Sequence, residues 1–232
     1  MTAKLAADPH RGGALLRLGA SRTRARCAAI LLHGRGGDGV GMAEFLDGLG
    51  FSDVALFAPE AAGRSWWPTS FLAPAATMEP FVQSAIGAVD RAVWLAGDEG
   101  FAPAQTFVIG FSQGGCLALE HAARTATPFA GVFGLSAALV GTGDAGGPPR
   151  EDLYGFAAKD FGYASDLAGH KVHIGCHERD PHIPIARVME SAAVFRQLGA
   201  AVSLATAPGA NHGPTEGDVD ALRNALAEAA AQ

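Results

Sequence analysis

The sequence predicts an α/β fold in which a mostly parallel central sheet is flanked by helices. Short apolar runs alternate along the chain with longer segments of helical periodicity, and this order of elements is typical of parallel α/β sheets. Most of the runs are continuously apolar, as expected of strands that helices cover on both faces. The length of 232 residues suits one large domain with a substantial core.

Six apolar runs are the predicted strands of this sheet. They cover residues 27–32, 54–58, 106–109, 129–135, 172–176 and 201–205. Apolar residues at helical spacing predict helices that include residues 82–93, 188–195 and 219–226. Gly199 is a suitable stop for the second of these helices, just before the last strand. Strands connected by helices in this way pair in parallel through right-handed crossovers.

One segment, residues 141–169, interrupts the alternation. It is rich in Gly and Pro at its start and has little periodicity. Long irregular insertions in compact domains are usually functional loops or mobile segments. Because the segment has no charge run or repeat typical of a linker, and because the alternation resumes after it, we expect residues 1–232 to form a single domain.

Composition and charge exclude several functional classes. The formal charge is −6, from 23 acidic and 17 basic residues, and the chain lacks the basic stripe of a nucleic-acid-binding protein. The longest nearly apolar stretch, residues 128–140, is shorter than the roughly 18 residues of a membrane-spanning helix. Residues 1–13 lack the apolar core of a secretory signal. The sequence therefore predicts a cytoplasmic protein without a membrane span.

The most informative motif is Gly110-x-Ser112-x-Gly114. It lies where an apolar strand ends and a helical pattern begins, which is the context of a nucleophile elbow. In such a turn the serine hydroxyl projects from the sheet, and small neighbours let the strand and the helix approach closely. The N-terminus of the helix favours negative charge that develops at the serine. We therefore predict that Ser112 is a catalytic nucleophile.

A serine nucleophile needs a base and an acid that orients the base, and the chain offers both after later strands. Asp180 follows the run 172–176, and His212 follows the run 201–205 in a loop bounded by Gly and Pro. Hydrolases with such an elbow use this chain order of Ser, Asp and His. Loops at the carboxyl ends of parallel strands meet at one crevice. Asp180 is thus the predicted acid and His212 the predicted base.

Two alternatives concern the segment around Asp180. Glu178 is a rival for the acid, but Asp180 precedes a proline, and Asp-Pro initiates a turn well. A metal site would use the clustered side chains of His177, Glu178, Asp180 and His182. Their spacing fits no HExxH helix, and two nearby prolines oppose a regular helical display. The sequence therefore predicts no metal site.

The loop after the first predicted strand, residues 34–39, has the sequence GRGGDG. It lacks the Lys-Ser/Thr ending of a P-loop and the full GxGxxG pattern, so a phosphate site is disfavoured. An oxyanion loop is the better interpretation, because acyl transfer uses backbone N–H donors worth roughly 3 kcal/mol each. One such donor follows the nucleophile and another comes from a loop of this kind. The predicted donors are the backbone N–H groups of Gln113 and Arg35, and His33 is expected to support the loop.

With these motifs the chain resembles the phospholipase/carboxylesterase family of the α/β-hydrolase superfamily. The resemblance covers roughly residues 28–226 and rests on four segments: Leu32-His-Gly-Arg-Gly-Gly-Asp, Gly110-Phe-Ser-Gln-Gly-Gly, Asp180-Pro-His-Ile-Pro and the late His212. It implies an α/β-hydrolase fold without a large cap domain. It also implies a Ser-Asp-His esterase that needs no metal or cofactor and acts on carboxylic esters, lysophospholipids or thioesters.

An aromatic segment after the second predicted strand, residues 64–72, predicts the substrate pocket. It contains Trp66, Trp67 and Phe71, and its loop should emerge at the same edge of the sheet as Ser112. Adjacent tryptophans point in different directions, so both are rarely buried. We expect the aromatic group to form an apolar wall of the pocket. Bulky rings limit acyl length, so short- to medium-chain esters are the expected substrates.

The sequence thus predicts hydrolysis of small-molecule carboxylic esters through an acyl-enzyme at Ser112. A lysophospholipase or an acyl-thioesterase would use the same groups. A non-catalytic ligand-binding protein is the alternative from another class, although such proteins commonly lack a member of the triad. No nucleic-acid partner is expected, and self-association into a homodimer is compatible with the sequence.

Overall fold

Nine strands and five α-helices form the part of the chain that the computed structural model describes, residues 8–230. The strands are β1 (Leu15–Gly19), β2 (Cys27–Leu32), β3 (Val54–Pro59), β4 (Thr106–Phe111), β5 (Gly131–Leu135), β6 (Gly143–Asp144), β7 (Lys159–Asp160), β8 (Lys171–His177) and β9 (Ala201–Ala207). The helices are α1 (Gly39–Gly48), α2 (Ala75–Asp98), α3 (Gln113–Thr125), α4 (Ile185–Gln197) and α5 (Glu216–Ala230). The expected domain, residues 1–232, includes residues 1–7 and 231–232, which lie outside the described part.

Seven of the strands form one sheet in the order β1-β3-β2-β4-β5-β8-β9. Every neighbouring pair is parallel except β1 and β3, which are antiparallel. The six predicted strands correspond to β2, β3, β4, β5, β8 and β9, so the predicted fold class is confirmed. The sequence did not predict β1, because its five residues are only partly buried at the edge of the sheet and give a weak apolar signal.

Helices cover both faces of the sheet, which explains the continuous apolar runs. β2 and β3 are buried at every position. On one face, α2, α3 and α4 contribute Val89, Leu117 and Phe195 to a large apolar core. On the other face, Leu46 of α1 and Leu222 of α5 belong to a second core. β9 lies at the open edge of the sheet and is less buried than the central strands.

The irregular segment 141–169 is anchored to the rest of the chain by hydrogen bonds. Its Asp144 accepts the Ala75 amide at the start of α2, at 3.0 Å. The buried Lys159 amine donates to the Phe71 carbonyl, at 2.8 Å. Burial lowers the pKa of Lys159 to about 8. The segment therefore packs beside α2 and beside the aromatic residues that the sequence assigns to the substrate pocket.

The first turn of α3 packs directly against the ends of β2 and β4. A Cβ atom on Gly114 would lie 2.1 Å from the Leu32 carbonyl oxygen, and one on Gly110 would lie 2.2 Å from the Gly114 carbonyl oxygen. Heavy atoms cannot approach so closely, so only glycine fits at these two positions. The connection between β4 and α3 is consequently a turn of a single residue, Ser112.

Gly114→Ala should destabilise the protein strongly, because the added methyl group must displace the backbone of β2 or α3. We expect a loss of about 3 kcal/mol in the free energy of unfolding, measured by urea denaturation. Gly97→Ala is the matched control, since Gly97 lies in α2 with open space where a Cβ would be. It should gain up to about 1 kcal/mol. Equal stabilities of Gly114→Ala and wild type would contradict the packing argument.

Candidate active site

Ser112 occupies a strained turn between β4 and α3. Its φ of 53° and ψ of −121° lie outside the regions that serine ordinarily adopts. The Ser112 amide donates to the Leu135 carbonyl of β5, and the Ser112 carbonyl accepts the Cys116 amide of α3, both at 2.8 Å. These two bonds hold the conformation. Ser112 thus lies at the N-terminus of α3, where the helix dipole favours negative charge.

The side chains of Ser112, His212 and Asp180 form a continuous hydrogen-bonded chain. His212 Nε2 lies 2.8 Å from Ser112 Oγ, and His212 Nδ1 lies 2.8 Å from Asp180 Oδ2. An ionised carboxylate only accepts hydrogen bonds, so Nδ1 carries the proton and Nε2 is free to accept the serine proton. In this arrangement a histidine can act as a base towards a serine. The structure therefore brings together the three residues that the sequence predicts as nucleophile, base and acid.

Asp180 is fully buried, and both of its carboxylate oxygens accept hydrogen bonds. Oδ1 accepts the amides of His182 (2.8 Å) and Ile183 (3.1 Å), and Oδ2 accepts His212. Burial by itself raises the pKa of Asp180, but the hydrogen bonds from His212 and the His182 amide outweigh it and lower this pKa. Asp180 is therefore ionised and can balance a positive charge on His212. The rival acid, Glu178, is exposed.

The loop that carries His212 is fixed by contacts with three other residues. The Ser136 hydroxyl donates to the Gly213 carbonyl at 2.8 Å. The rings of Phe111 and His182 lie 5.2 Å and 4.8 Å from the His212 ring. Together these contacts restrict the imidazole to the position in which both of its nitrogens are hydrogen-bonded.

A second Ser-His-Asp chain lies in β8, β9 and α5. His173 Nδ1 is 3.1 Å from the Ser203 hydroxyl, and His173 Nε2 is 2.6 Å from Asp218. Ser203 lies within the regular strand β9 and has no positive φ, so it does not form an elbow. Asp218 also accepts the Thr215 amide at 2.7 Å, which fixes the start of α5 directly after the loop of His212. This second set of hydrogen bonds could not be predicted from the sequence, because its contacts cross between two strands and a helix.

The loop after β2 lies directly against Ser112. A Cβ atom on Gly34 would lie 3.3 Å from the Ser112 Cβ. The backbone N–H groups of Arg35 and Gln113 have no backbone acceptor among residues 8–230. Both residues line the same cavity as Ser112. Two free N–H donors beside a serine hydroxyl are the arrangement that an oxyanion requires.

A cavity of about 450 Å³ opens beside Ser112. Its lining includes Arg35, Trp67, Phe71, Ser112, Gln113 and His212. Trp67 and Phe71, two of the three aromatic residues assigned to the pocket by the sequence, lie in its wall. The hydrogen bond from Lys159 to the Phe71 carbonyl ties this wall to the segment 141–169.

The third aromatic residue, Trp66, does not line this cavity, so the expectation that it forms part of the wall is wrong. Its ring packs between those of His10 (5.3 Å) and His33 (5.1 Å), and its Nε1 donates to the His33 carbonyl at 2.9 Å. Trp66 and Trp67 are 0% and 1% exposed, so the expectation that both would rarely be buried also fails. Trp66 contacts His10 and His33, whereas Trp67 lines the cavity, and both side chains are buried.

Two buried side chains that the sequence did not associate with the pocket hold the backbone of this segment. The Gln113 side-chain amide accepts the Trp66 amide and donates to the Trp67 carbonyl, both at 2.8 Å. His10 donates from Nε2 to the Trp66 carbonyl (2.9 Å) and accepts the Ala62 amide at Nδ1 (3.1 Å). Burial lowers the pKa of His10, which favours the neutral ring that this pattern needs. No local sequence signal indicates this role of His10, because its partners lie 56 and 52 residues away along the chain.

His33 supports the loop after β2, as the sequence predicts. Its Nδ1 donates to the Gly34 carbonyl at 2.8 Å, and its Nε2 accepts the Ala61 amide at 3.2 Å. Both nitrogens of the buried ring are therefore engaged in shaping the backbone near Ser112.

Within residues 8–230, no helix has the length and apolar character needed to cross a membrane. The same residues contain no group of three or more His, Cys, Asp or Glu side chains arranged to hold a metal ion. The side chains of His177, Glu178, Asp180 and His182, close in sequence, thus do not converge on one point.

A family model and one solved structure indicate the family of this chain. The sequence model of the Phospholipase/Carboxylesterase family matches residues 16–229, whereas no curated protein matches the chain. The solved structure of a phospholipase/carboxylesterase from Dyadobacter fermentans is 30% identical, with a TM-score of 0.79, over 93% of this chain and 97% of that chain.

Two further solved structures share the fold at lower identity. Esterase PE8 is 23% identical, with a TM-score of 0.70, over 93% of this chain and 98% of its own. The Bacillus cereus carboxylesterase is 17% identical, with a TM-score of 0.68, over 94% and 95% of the two chains. The match to the family model over nearly the whole described chain shows that this protein belongs to the phospholipase/carboxylesterase family, with an α/β-hydrolase fold that has no large cap within residues 8–230.

Proposed function

We propose that this protein is a serine esterase that hydrolyses small carboxylic esters through an acyl-enzyme at Ser112. The observation that carries the proposal is the hydrogen-bonded chain from Ser112 through His212 to the buried Asp180, beside an open cavity. Membership of the phospholipase/carboxylesterase family supports the same class of reaction.

In the first half of the reaction, Ser112 Oγ attacks the ester carbonyl while His212 Nε2 accepts the hydroxyl proton. The ionised Asp180 stabilises the imidazolium that forms. Negative charge develops on the carbonyl oxygen, where the free N–H groups of Arg35 and Gln113 donate hydrogen bonds. Each such donor contributes roughly 3 kcal/mol to the stability of the transition state. His212 then gives its proton to the leaving alcohol, and the acyl group stays on Ser112.

In the second half, the same groups hydrolyse the acyl-enzyme. His212 Nε2 accepts a proton from a water molecule, whose oxygen attacks the acyl carbonyl. The same two N–H donors stabilise the second tetrahedral intermediate. When the bond to Ser112 Oγ breaks, His212 returns its proton to that oxygen and the acid is released. Side chains, backbone amides and water supply every group that this mechanism uses.

The cavity favours acyl chains of short to medium length. Its volume of about 450 Å³ lies in the lower part of the range for small-molecule sites. Trp67 and Phe71 are rigid parts of its wall, because Gln113 and Lys159 donate hydrogen bonds to their carbonyls. A lysophospholipase would have to place a much longer chain against the same wall. An acyl-thioesterase would use the same catalytic groups, so it is the closer alternative.

A non-catalytic ligand-binding protein on this fold is less well supported. Such a protein needs neither a serine at positive φ nor a matching base and acid. The conformation of Ser112 costs about 1–3 kcal/mol, and it places the hydroxyl within hydrogen-bonding distance of His212. Backbone strain of this kind is characteristic of functional sites.

Ser112→Ala should abolish both the hydrolysis of a short p-nitrophenyl ester and labelling by a fluorophosphonate, because the attacking oxygen is removed. Ser203→Ala is the matched control, since Ser203 also contacts the histidine of a Ser-His-Asp chain but lies in a regular strand. It should keep both activities. Mass spectrometry of the labelled protein and circular dichroism measure labelling and folding. A folded Ser112→Ala variant that is still labelled would contradict the assignment of the nucleophile.

Asp180→Asn should lower kcat by about ten-thousandfold, as the equivalent change does in a well-studied triad. An amide at this position leaves the histidine in the wrong tautomer and removes the charge that balances the imidazolium. Glu178→Gln changes the exposed acid two residues earlier and should leave kcat within about twofold. Steady-state kinetics of both variants provide the measurement. A larger loss in Glu178→Gln than in Asp180→Asn would mean that the wrong carboxylate is named.

Trp67→Ala should enlarge the cavity and raise the ratio of kcat/KM for octanoate to that for acetate esters by about tenfold. The matched control is Trp94→Ala, because Trp94 lies on α2 and is 70% exposed. That variant should keep the wild-type ratio. An unchanged ratio in Trp67→Ala would assign this side chain to the scaffold rather than to the substrate wall.

A further inference from the structure

The described residues that line the cavity include basic side chains but no acidic one. The chain has a formal charge of −6, yet none of the described residues that line this cavity is Asp or Glu. The basic residues in the lining are Arg35, His182 and His212. The acid closest to the reacting groups, Asp180, is fully buried and bonded to His212 and to backbone amides. A substrate in the cavity therefore meets a wall whose permanent charge is positive.

Arg35 supplies that permanent charge. Its guanidinium donates from Nη1 to the Pro68 carbonyl (3.2 Å) and from Nη2 to the Thr69 carbonyl (2.5 Å). These bonds connect the loop after β2 with the segment 67–71, which also lines the cavity. They hold the exposed guanidinium at the rim of the cavity. The charge is thus fixed in position before any substrate binds.

Within residues 8–230, no acidic side chain neutralises the charge of Arg35. Arg35 forms no ion pair with an acidic side chain of residues 8–230, and the nearest acid along the chain, Asp38, pairs with Arg64. A guanidinium has five N–H donors, and the two carbonyls engage only some of them. The remaining N–H donors and the positive charge of the Arg35 guanidinium are therefore available to a ligand.

We propose that the Arg35 guanidinium selects esters that carry a carboxylate group. This inference deepens the proposed serine esterase function and rests on it. In that mechanism the Arg35 backbone N–H binds the oxygen of the reacting carbonyl. The carboxylate that the guanidinium selects therefore lies no farther from this carbonyl than the length of an arginine side chain. Guanidinium and carboxylate form paired, charge-assisted hydrogen bonds, which are among the strongest in proteins. The substrates are then monoesters of short dicarboxylic acids or acyl esters of short hydroxy acids.

The test compares esters that differ only in charge. Monomethyl adipate ends in a carboxylate, whereas methyl adipamate ends in a neutral amide of nearly the same shape. O-acetyl-γ-hydroxybutyrate and its amide place the same groups on the alcohol side. For at least one pair, wild-type protein should show about five- to tenfold higher kcat/KM for the carboxylate at low ionic strength. Salt at about 1 M should reduce this preference, because the Debye length falls to about 3 Å.

Arg35→Leu keeps the backbone N–H but should remove the preference for the carboxylate ester. Arg35→Lys should keep part of the preference, since lysine retains the positive charge but lacks the planar guanidinium that donates two parallel hydrogen bonds to a carboxylate. Arg223→Gln is the matched control: Arg223 is an exposed arginine of α5 outside the cavity wall, and its variant should keep the wild-type ratio. Thermal unfolding of each variant checks that the fold persists.

Two results would overturn this proposal while leaving the esterase function intact. One is a wild-type protein that hydrolyses each carboxylate ester and its amide equally well. The other is an Arg35→Leu variant that keeps the wild-type ratio of kcat/KM between the carboxylate ester and its amide. An equal loss of activity on both esters would also give this result, and it is expected if Arg35 only stabilises the loop. Failure to hydrolyse any of the four esters, with Ser112 unlabelled by a fluorophosphonate, would instead contradict the serine esterase function itself.

Discussion

The close packing of the first turn of α3 against the ends of β2 and β4 is the constraint on which the rest of the site depends. Gly110 and Gly114 lack the side chains that would separate these elements. The chain must therefore turn within one residue, and Ser112 adopts a φ of 53°. The cores on both faces of the sheet stabilise this strained connection. As a result, the serine hydroxyl lies at a helix N-terminus beside the free amides of Arg35 and Gln113.

Buried polar side chains preorganise the groups around Ser112. Asp180 orients the His212 ring, and Ser136 holds the loop that carries it. Gln113 lines the cavity beside Ser112, and its side chain also fixes the aromatic wall through hydrogen bonds to the backbone of Trp66 and Trp67. Hydrogen bonds that form before the substrate binds need not be reorganised during the reaction. Ser203 also forms a hydrogen bond to a histidine that contacts an aspartate, but it lies in a regular strand and not in a strained turn at a helix N-terminus. Side-chain contacts alone therefore do not identify a nucleophile.

The sequence predicted those features whose signal is local. The buried strands are continuous apolar runs, and the elbow at Ser112 is marked by its glycines and by the change from strand to helix. Asp180 and His212 could be named because chain order places them in loops at one edge of the sheet. The burial of Trp66 could not be predicted, since it depends on contacts with His10 and Gln113, 56 and 47 residues away. β1 could not be predicted for the same reason, since this strand depends on its pairing with the distant strand β3.

A crystal structure of the protein after reaction with an alkyl fluorophosphonate would show directly whether Ser112 is the nucleophile and whether Arg35 and Gln113 bind the oxyanion. We expect phosphorus bonded to Ser112 Oγ, with the phosphonyl oxygen about 2.7–3.1 Å from the backbone nitrogens of both Arg35 and Gln113. The alkyl group should lie against Trp67. Phosphorus bonded to another side chain would contradict the assignment of Ser112, and a phosphonyl oxygen directed into solvent away from both nitrogens would contradict the assignment of the oxyanion site.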